Sequence, residues 1–189
     1  MNRLVFFVLL ALGIVQPASA VNYKINARHS QVMFTYNHMG FTNITGRFNQ
    51  IDGTFDLDPA NLKDAKIAIT LPMSGLSTGV TALDEDLSSD GFFDVEKFPT
   101  ASFTSEHVAV IDETHLDVTG ALTIHGVTKP VTLAVIVNRL GEHPMYKVPA
   151  AGFEASATIS RSDFGVGAMV PMVGDAVTLR ITLEADAKP

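Results

Sequence analysis

The amino-acid sequence predicts an all-β protein of about eight antiparallel strands with one short helix. Three observations carry that expectation. Apolar and polar residues alternate with period two along most of the chain, turn signals recur between the alternating runs, and no strand–helix–strand rhythm interrupts them. Successive side chains of a strand point to opposite sides, so an antiparallel sheet with one buried and one wetted face reads this way. A two-sheet sandwich and a closed barrel both bury one face of every strand, and periodicity leaves the two open.

The first twenty residues read as a leader. Met1-Asn2-Arg3 is a short positive start, residues 4–15 are mostly apolar, Pro17 breaks the run, and Ala18-Ser19-Ala20 offers a small-x-small cleavage site. That pattern predicts a secretory signal peptide cleaved after Ala20, leaving one domain over residues 21–189. The apolar run is shorter than the roughly 20 residues a membrane-spanning helix needs. Loss of Arg3 takes the formal net charge from -7 to -8. An acidic surface repels nucleic acid, so no nucleic-acid partner is expected. With no cysteine in the chain, thiol chemistry and iron–sulfur clusters are excluded.

The strands follow in order. Val32, Phe34, Tyr36 and His38 share one face of the first clear strand, opposite Gln31, Met33, Thr35 and Asn37. Ile67, Ile69 and Leu71 form the next set, then Leu116, Val118, Leu122 and Ile124, then Val131 to Val137 by twos. Phe153 to Ile159 and Val177 to Leu183 complete the series. His38-Met39-Gly40, Asp52-Gly53, Asp58-Pro59, His125-Gly126 and Val173-Gly174-Asp175 are the turn signals between them.

Residues 73–98 break the alternation. Val80, Leu83 and Leu87 have helical spacing, and Thr81 with Asp84 resembles a capping box, so a helix is expected from about Thr81 to Ser88. "GFFDVEKFP" follows, rich in aromatics. Long connections of this kind in compact domains are often lids or binding loops.

Catalytic signals are weak. Gly75, Ser77 and Gly79 fit G-x-S-x-G, but a nucleophile elbow joins a strand to a helix in a parallel sheet, and the alternation here is antiparallel. The six histidines form neither H-x-H nor H-E-x-x-H. No catalytic residue, metal ligand or cofactor is assigned. Asp84, Glu85 and Asp86 suit the helix dipole and solvent better than acid–base work. His38 shares a face with aromatics, where it would contact a ligand headgroup or be satisfied by backbone and water.

The aromatics are more informative. Phe34, Phe48, Phe55, Phe103 and Phe153 lie in strands at inward-compatible positions. Phe92 and Phe93 lie in the long connection, and Phe164 and Met169 in the Gly-rich apolar loop "DFGVGAMVPMVGD". An ordinary aromatic core accounts for the first group. Apolar residues gathered in loops, adaptable methionines among them, point instead to entry of a greasy ligand.

"HSQVMFTYNHMGFTNITGRFNQIDGTFDLD", "LSSDGFFDVEKFPTASFTS", "GALTIHGVTKPVTLAV", "FEASATISRSDFGVG" and "VGDAVTLRITLEA", in that order, resemble the YceI-like family. The resemblance implies a lipocalin-like antiparallel β-barrel with an apolar pore and the helix and long loop near its mouth. It implies an exported, periplasmic protein that binds a long-chain isoprenoid, quinone-like or prenyl, or another apolar lipid such as a fatty amide, with homodimers among members; transient membrane contact is expected of such a carrier. On that reading Phe34, Tyr36, Phe48, Phe55, Phe103, Leu122, Ile124 and Phe153 line the pore. Phe92, Phe93, Phe164 and Met169 form its mouth, and His38 is a polar contact. One departure stands out: Leu83 and Asp86 occupy positions where the commoner family pattern has Arg and His. The alternatives are a filled barrel acting as a stress-response or interaction module, and a Ser77-dependent hydrolase.

Overall fold

The computed structural model describes residues 20–187. The expected signal peptide falls almost wholly outside them. Eleven strand segments and one α-helix follow along the chain: β1 Val21–Ile25, β2 Gln31–His38, β3 Thr42–Phe48, β4 Asp52–Leu57, β5 Lys66–Pro72, β6 Leu76–Ser77, α1 Thr81–Ser88, β7 Thr100–Val110, β8 His115–Ile124, β9 Val127–Glu142, β10 Pro149–Ser160 and β11 Val173–Ala187. All pairings are antiparallel.

The strand order β1-β4-β5-β7-β8-β9-β10-β11 closes on itself through β1–β11, giving an eight-stranded barrel. The other three segments extend strands already in the ring. β1 pairs with the end of β11 and β2 with its earlier part, so β1 and β2 act as one bent strand. Likewise β3 continues β4, and β6 continues β5 past the short 3-10 turn Met73–Gly75. Ser30 holds the first bend: its hydroxyl donates to the Glu184 carbonyl at 3.3 Å and accepts from the Glu184 amide at 3.0 Å. Closure of the ring through β1–β11 settles the choice between sandwich and barrel.

Every second side chain points inward, as the alternation requires. Two apolar clusters stack along the axis. One, at the end holding the β4–β5, β7–β8 and β9–β10 connections, gathers Tyr23, Phe55, Val118, Phe153 and Ala185. The other, toward the end holding α1 and the β10–β11 loop, gathers Phe34, Phe48, Met73, Leu87 and Ala101. Inward glycines make room for the rings. A Cβ on Gly46 would collide with the Phe34 ring, and one on Gly120 would strike the Thr104 carbonyl and come within 2.7 Å of Phe103 Cζ.

The helix spans Thr81–Ser88, but its cap differs from expectation. Val80 is the N-cap and Thr81 does not cap it. The Asp84 carboxylate instead reaches back to Thr78, accepting from its amide at 2.6 Å and its hydroxyl at 2.7 Å. The chain turns into the helix through Gly79 at φ +81°, so the loop, not the first helical residue, supplies the partner.

Candidate functional site

The barrel interior holds two apolar cavities in line. The inner one, about 60 Å³, is bounded by Phe55, Leu57, Ile67, Val118 and Phe153 among others. The outer one, about 100 Å³, is bounded by Phe48, Met73, Phe93, Leu122 and Ile124 among others, and its lining is apolar but for Ser102. Ile69, Phe103, Leu133 and Ile181 border both, so these four side chains form the neck between them. Each cavity is several times the roughly 10–15 Å³ that admits one water, and space lined this way stays dry and accepts apolar guests.

A third pocket, about 180 Å³, lies at the rim. Tyr36, His38, Asp86 and Arg161 supply its polar groups; Leu83, Leu87, Phe92, Val166, Met169 and Val173 supply the rest. Rings from the second apolar cluster stand between it and the outer cavity. The centroids of Phe34 and Phe48 are 5.6 Å apart, and those of Phe48 and Phe93 are 6.2 Å apart.

Arg161 is the residue that sequence reasoning passed over. It is buried, and none of the ion pairs among the described residues includes it. Its Nε donates to the Gly174 carbonyl at 2.9 Å and Nη2 to Val173 at 2.9 Å, while Nη1 donates to Val166 at 2.6 Å and Ala168 at 2.9 Å. A guanidinium has five N–H groups. Four are committed to the β10–β11 loop, and one on Nη2 remains. Burial pulls the guanidinium below its ordinary value, while the charges of Asp175 and Tyr36 oppose that shift. Burial also pushes the Tyr36 phenol up, with Arg161 working against it. In the sequence Arg161 is one charged residue in a polar turn. Only the folded loop, wrapped so that its carbonyls converge, marks it as special.

The residues expected from sequence divide among these spaces. Phe55, Phe103 and Phe153 border the inner cavity, and Phe48, Phe93, Phe103, Leu122 and Ile124 the outer one. Tyr36, His38, Phe92 and Met169 border the rim pocket. Phe34 and Phe164 border none of the three spaces. Phe34 lies packed between Tyr36, stacked at 6.4 Å, and Phe48. Phe164 is only 2% exposed and ends the 3-10 turn Arg161–Phe164, so its ring anchors the start of the loop. Leu83 and Asp86, the two departures from the commoner pattern, both face the rim pocket.

Ser77 sits on the two-residue antiparallel β6 opposite Arg47, and its hydroxyl accepts from the Gly79 amide at 3.3 Å. That is a hinge into α1, without the geometry of a nucleophile elbow. At the opposite end of the barrel the fold brings together groups far apart in sequence. Donor atoms of His143, Glu184 and Asp186 lie within 4.8 Å of one another. His143 Nδ1 accepts from the Met145 and Tyr146 amides, each at 3.2 Å, which leaves the proton of the neutral ring on Nε2. A ring so held meets the carboxylates with a donor, whereas a metal needs a lone pair.

The model of the YceI-like domain matches residues 23–185. A UPF0312 protein of Pseudomonas syringae pv. tomato is 37% identical over 175 residues, covering 90% of this chain and 89% of its own length. One from Pseudomonas putida is 38% identical over 166 residues, covering 85% of this chain and 86% of its own. Among solved structures, the Campylobacter jejuni YceI protein matches with a TM-score of 0.73 at 28% identity, covering 81% of this chain and 90% of its own. A polyisoprenoid binding domain from Saccharophagus degradans matches with a TM-score of 0.71 over 89% of this chain and 99% of its own. At 17% identity that last likeness speaks for the fold alone.

Proposed function

This chain belongs to the YceI-like family, and from that premise we propose that it is a periplasmic carrier or sequestering protein for a long-chain isoprenoid. The observation that carries the reading is the line of apolar cavities leading to a rim pocket with a few polar groups. A site of this form buries a greasy body and fixes one polar end. The polyisoprenoid-binding description of the structurally similar Saccharophagus domain supports the same cargo class. Burial yields about 0.8 kcal/mol per CH₂-sized group, so a half-buried tail supplies more than about 12 kcal/mol before ordering costs. Binding of this kind uses no catalytic residue.

The rim pocket favours an uncharged head. One N–H of Arg161, the Tyr36 hydroxyl and the His38 ring offer hydrogen bonds to an acceptor oxygen. Asp86 on the same wall opposes a phosphate, and most of the Arg161 donors are already spent. A quinone or prenyl alcohol fits that balance better than a prenyl phosphate.

A filled barrel is the second reading, favoured by the neck at Phe103 that divides the interior. Native mass spectrometry of the purified protein, beside an organic extract of the same sample, separates the two. The carrier reading expects a stoichiometric adduct that extracts as a prenyl lipid, or one that forms when a long-chain quinone is added. A folded protein that stays bare with added quinone, prenyl alcohol and prenyl phosphate alike would establish the filled barrel.

A further inference from the structure

We propose that the charge-free lip of the barrel mouth docks on a zwitterionic lipid surface, where cargo enters and leaves. This rests on the isoprenoid reading and adds to it the contact surface and the lipid charge it selects.

Two segments form the lip. One is the β2–β3 turn at residues 39–41; the other is the β10–β11 loop over residues 164–172. Pairing of His38 with Val173 places them side by side. Their apolar side chains point to solvent: Phe41 is 87% exposed and Met172 62%, with Met39, Met169 and Val170 also exposed. Single exposed apolar residues are ordinary, but a contiguous set marks a contact surface. Met39 and Met169 hold left-handed backbone, at φ 54° and 63°. Glycine or asparagine fits that conformation at less cost, so large apolar groups there serve something other than the turn.

The charge pattern says what the lip meets. No Asp, Glu, Lys or Arg occurs between Arg28 and Arg47, and none between Asp163 and Asp175, in a chain of net charge -7. Across the mouth, α1 and the segment after it carry exposed Glu85, Asp86, Asp90 and Glu96 against one exposed cation, Lys97. A surface without Lys or Arg gains nothing from anionic lipid, and its acidic flank is repelled by it. Apolar insertion without that repulsion requires a neutral interface. The lip also adjoins the cargo entrance, because His38 and Met169 border the rim pocket.

The test is co-flotation of the purified protein with phosphatidylcholine vesicles, against vesicles containing phosphatidylglycerol. Phe41→Glu and Met172→Glu are the variants, with circular dichroism to check that these exposed sites leave the fold unchanged. Transfer of a long-chain quinone from vesicles is read beside its equilibrium binding in detergent. The expected result is flotation with phosphatidylcholine that weakens as phosphatidylglycerol is added. Both variants lose flotation and transfer quinone about tenfold more slowly, a change of about 1.4 kcal/mol, while detergent binding is unchanged. Failure of the wild-type protein to float on phosphatidylcholine would overturn the proposal, as would flotation only on anionic vesicles. So would a dimer dissolved by Phe41→Glu without any flotation, which would make the lip an interface between copies of this chain. Loss of quinone binding in detergent would sink the isoprenoid reading alone, since flotation decides the lip.

Discussion

Phe103 sits at the neck shared by the two inner cavities, and its ring has a double role. It packs the core, and on the carrier reading it stands in the path of the tail. Phe103→Ala is expected to destabilise the protein by about 3–5 kcal/mol, the usual cost of emptying an aromatic site. Because the substitution joins the two cavities, added long-chain quinone should recover part of that loss, seen as a larger ligand-induced rise in Tm than in the wild type. An unchanged ligand effect would place the tail elsewhere. Asp175 is a second informative residue. It accepts from the Ser162 amide at 2.8 Å and hydroxyl at 2.7 Å, and these bonds, the amide first, hold its carboxyl below the ordinary 3.8. A carboxyl lowered by folding contributes stability above its unfolded pKa and loses it as pH falls through the lowered value. The β10–β11 loop should therefore loosen only in acid below the ordinary carboxylate range. Hydrogen exchange at the Ser162 amide across that range checks it, and loosening already near neutral pH would contradict it.

At the scale of elements, β8 meets β7 without room for a side chain at Gly120, which pairs with Ser105 and lies against the Phe103 ring. A side chain at Gly120 meets the Thr104 carbonyl, a backbone atom that cannot turn aside. Gly120→Ala should cost about 1–3 kcal/mol, the range for overpacking a core, and should push Phe103 into the neck. Lowered quinone affinity together with lowered Tm is the expected pair of results; a variant as stable as wild type would mean the strands part freely. The elements also show how far the sequence could be read. Period-two alternation located β2, β5, β8, β9, β10 and β11, and helical spacing located α1, because both signals are local. The bends at residues 26–30, 49–51 and 73–75 were hidden, since they depend on partners such as Glu184, distant in sequence. The Thr81–Asp84 capping box failed for a related reason: a spacing pattern cannot tell which nearby residue the loop brings to Asp84. Phe34 alternates inward correctly, yet only the glycine opposite it, Gly46, explains why its ring lies against the wall and not in the cavity.

For the whole molecule, closure of eight strands is what turns an alternating sequence into a pore. Each strand contributes one apolar face, and the ring converts those faces into a single interior with one end plugged by Tyr23, Phe55 and their neighbours. Apart from Ser102, the polar groups bordering these spaces lie at the rim, where Tyr36, His38, Asp86 and Arg161 converge from three separate elements. Much of the lining was legible from inward spacing, while Arg161 was not, because its significance comes from four carbonyls gathered by a loop. The central claim is that an isoprenoid tail runs along this axis with its head at the rim. A crystal structure grown with a long-chain quinone tests it most directly. Continuous density is expected from the Tyr36–Arg161 pocket past Phe93 and Phe103 toward Phe153, with the quinone ring beside His38. A well-ordered interior packed by its own side chains, with quinone absent or bound only on the outer surface, would contradict it.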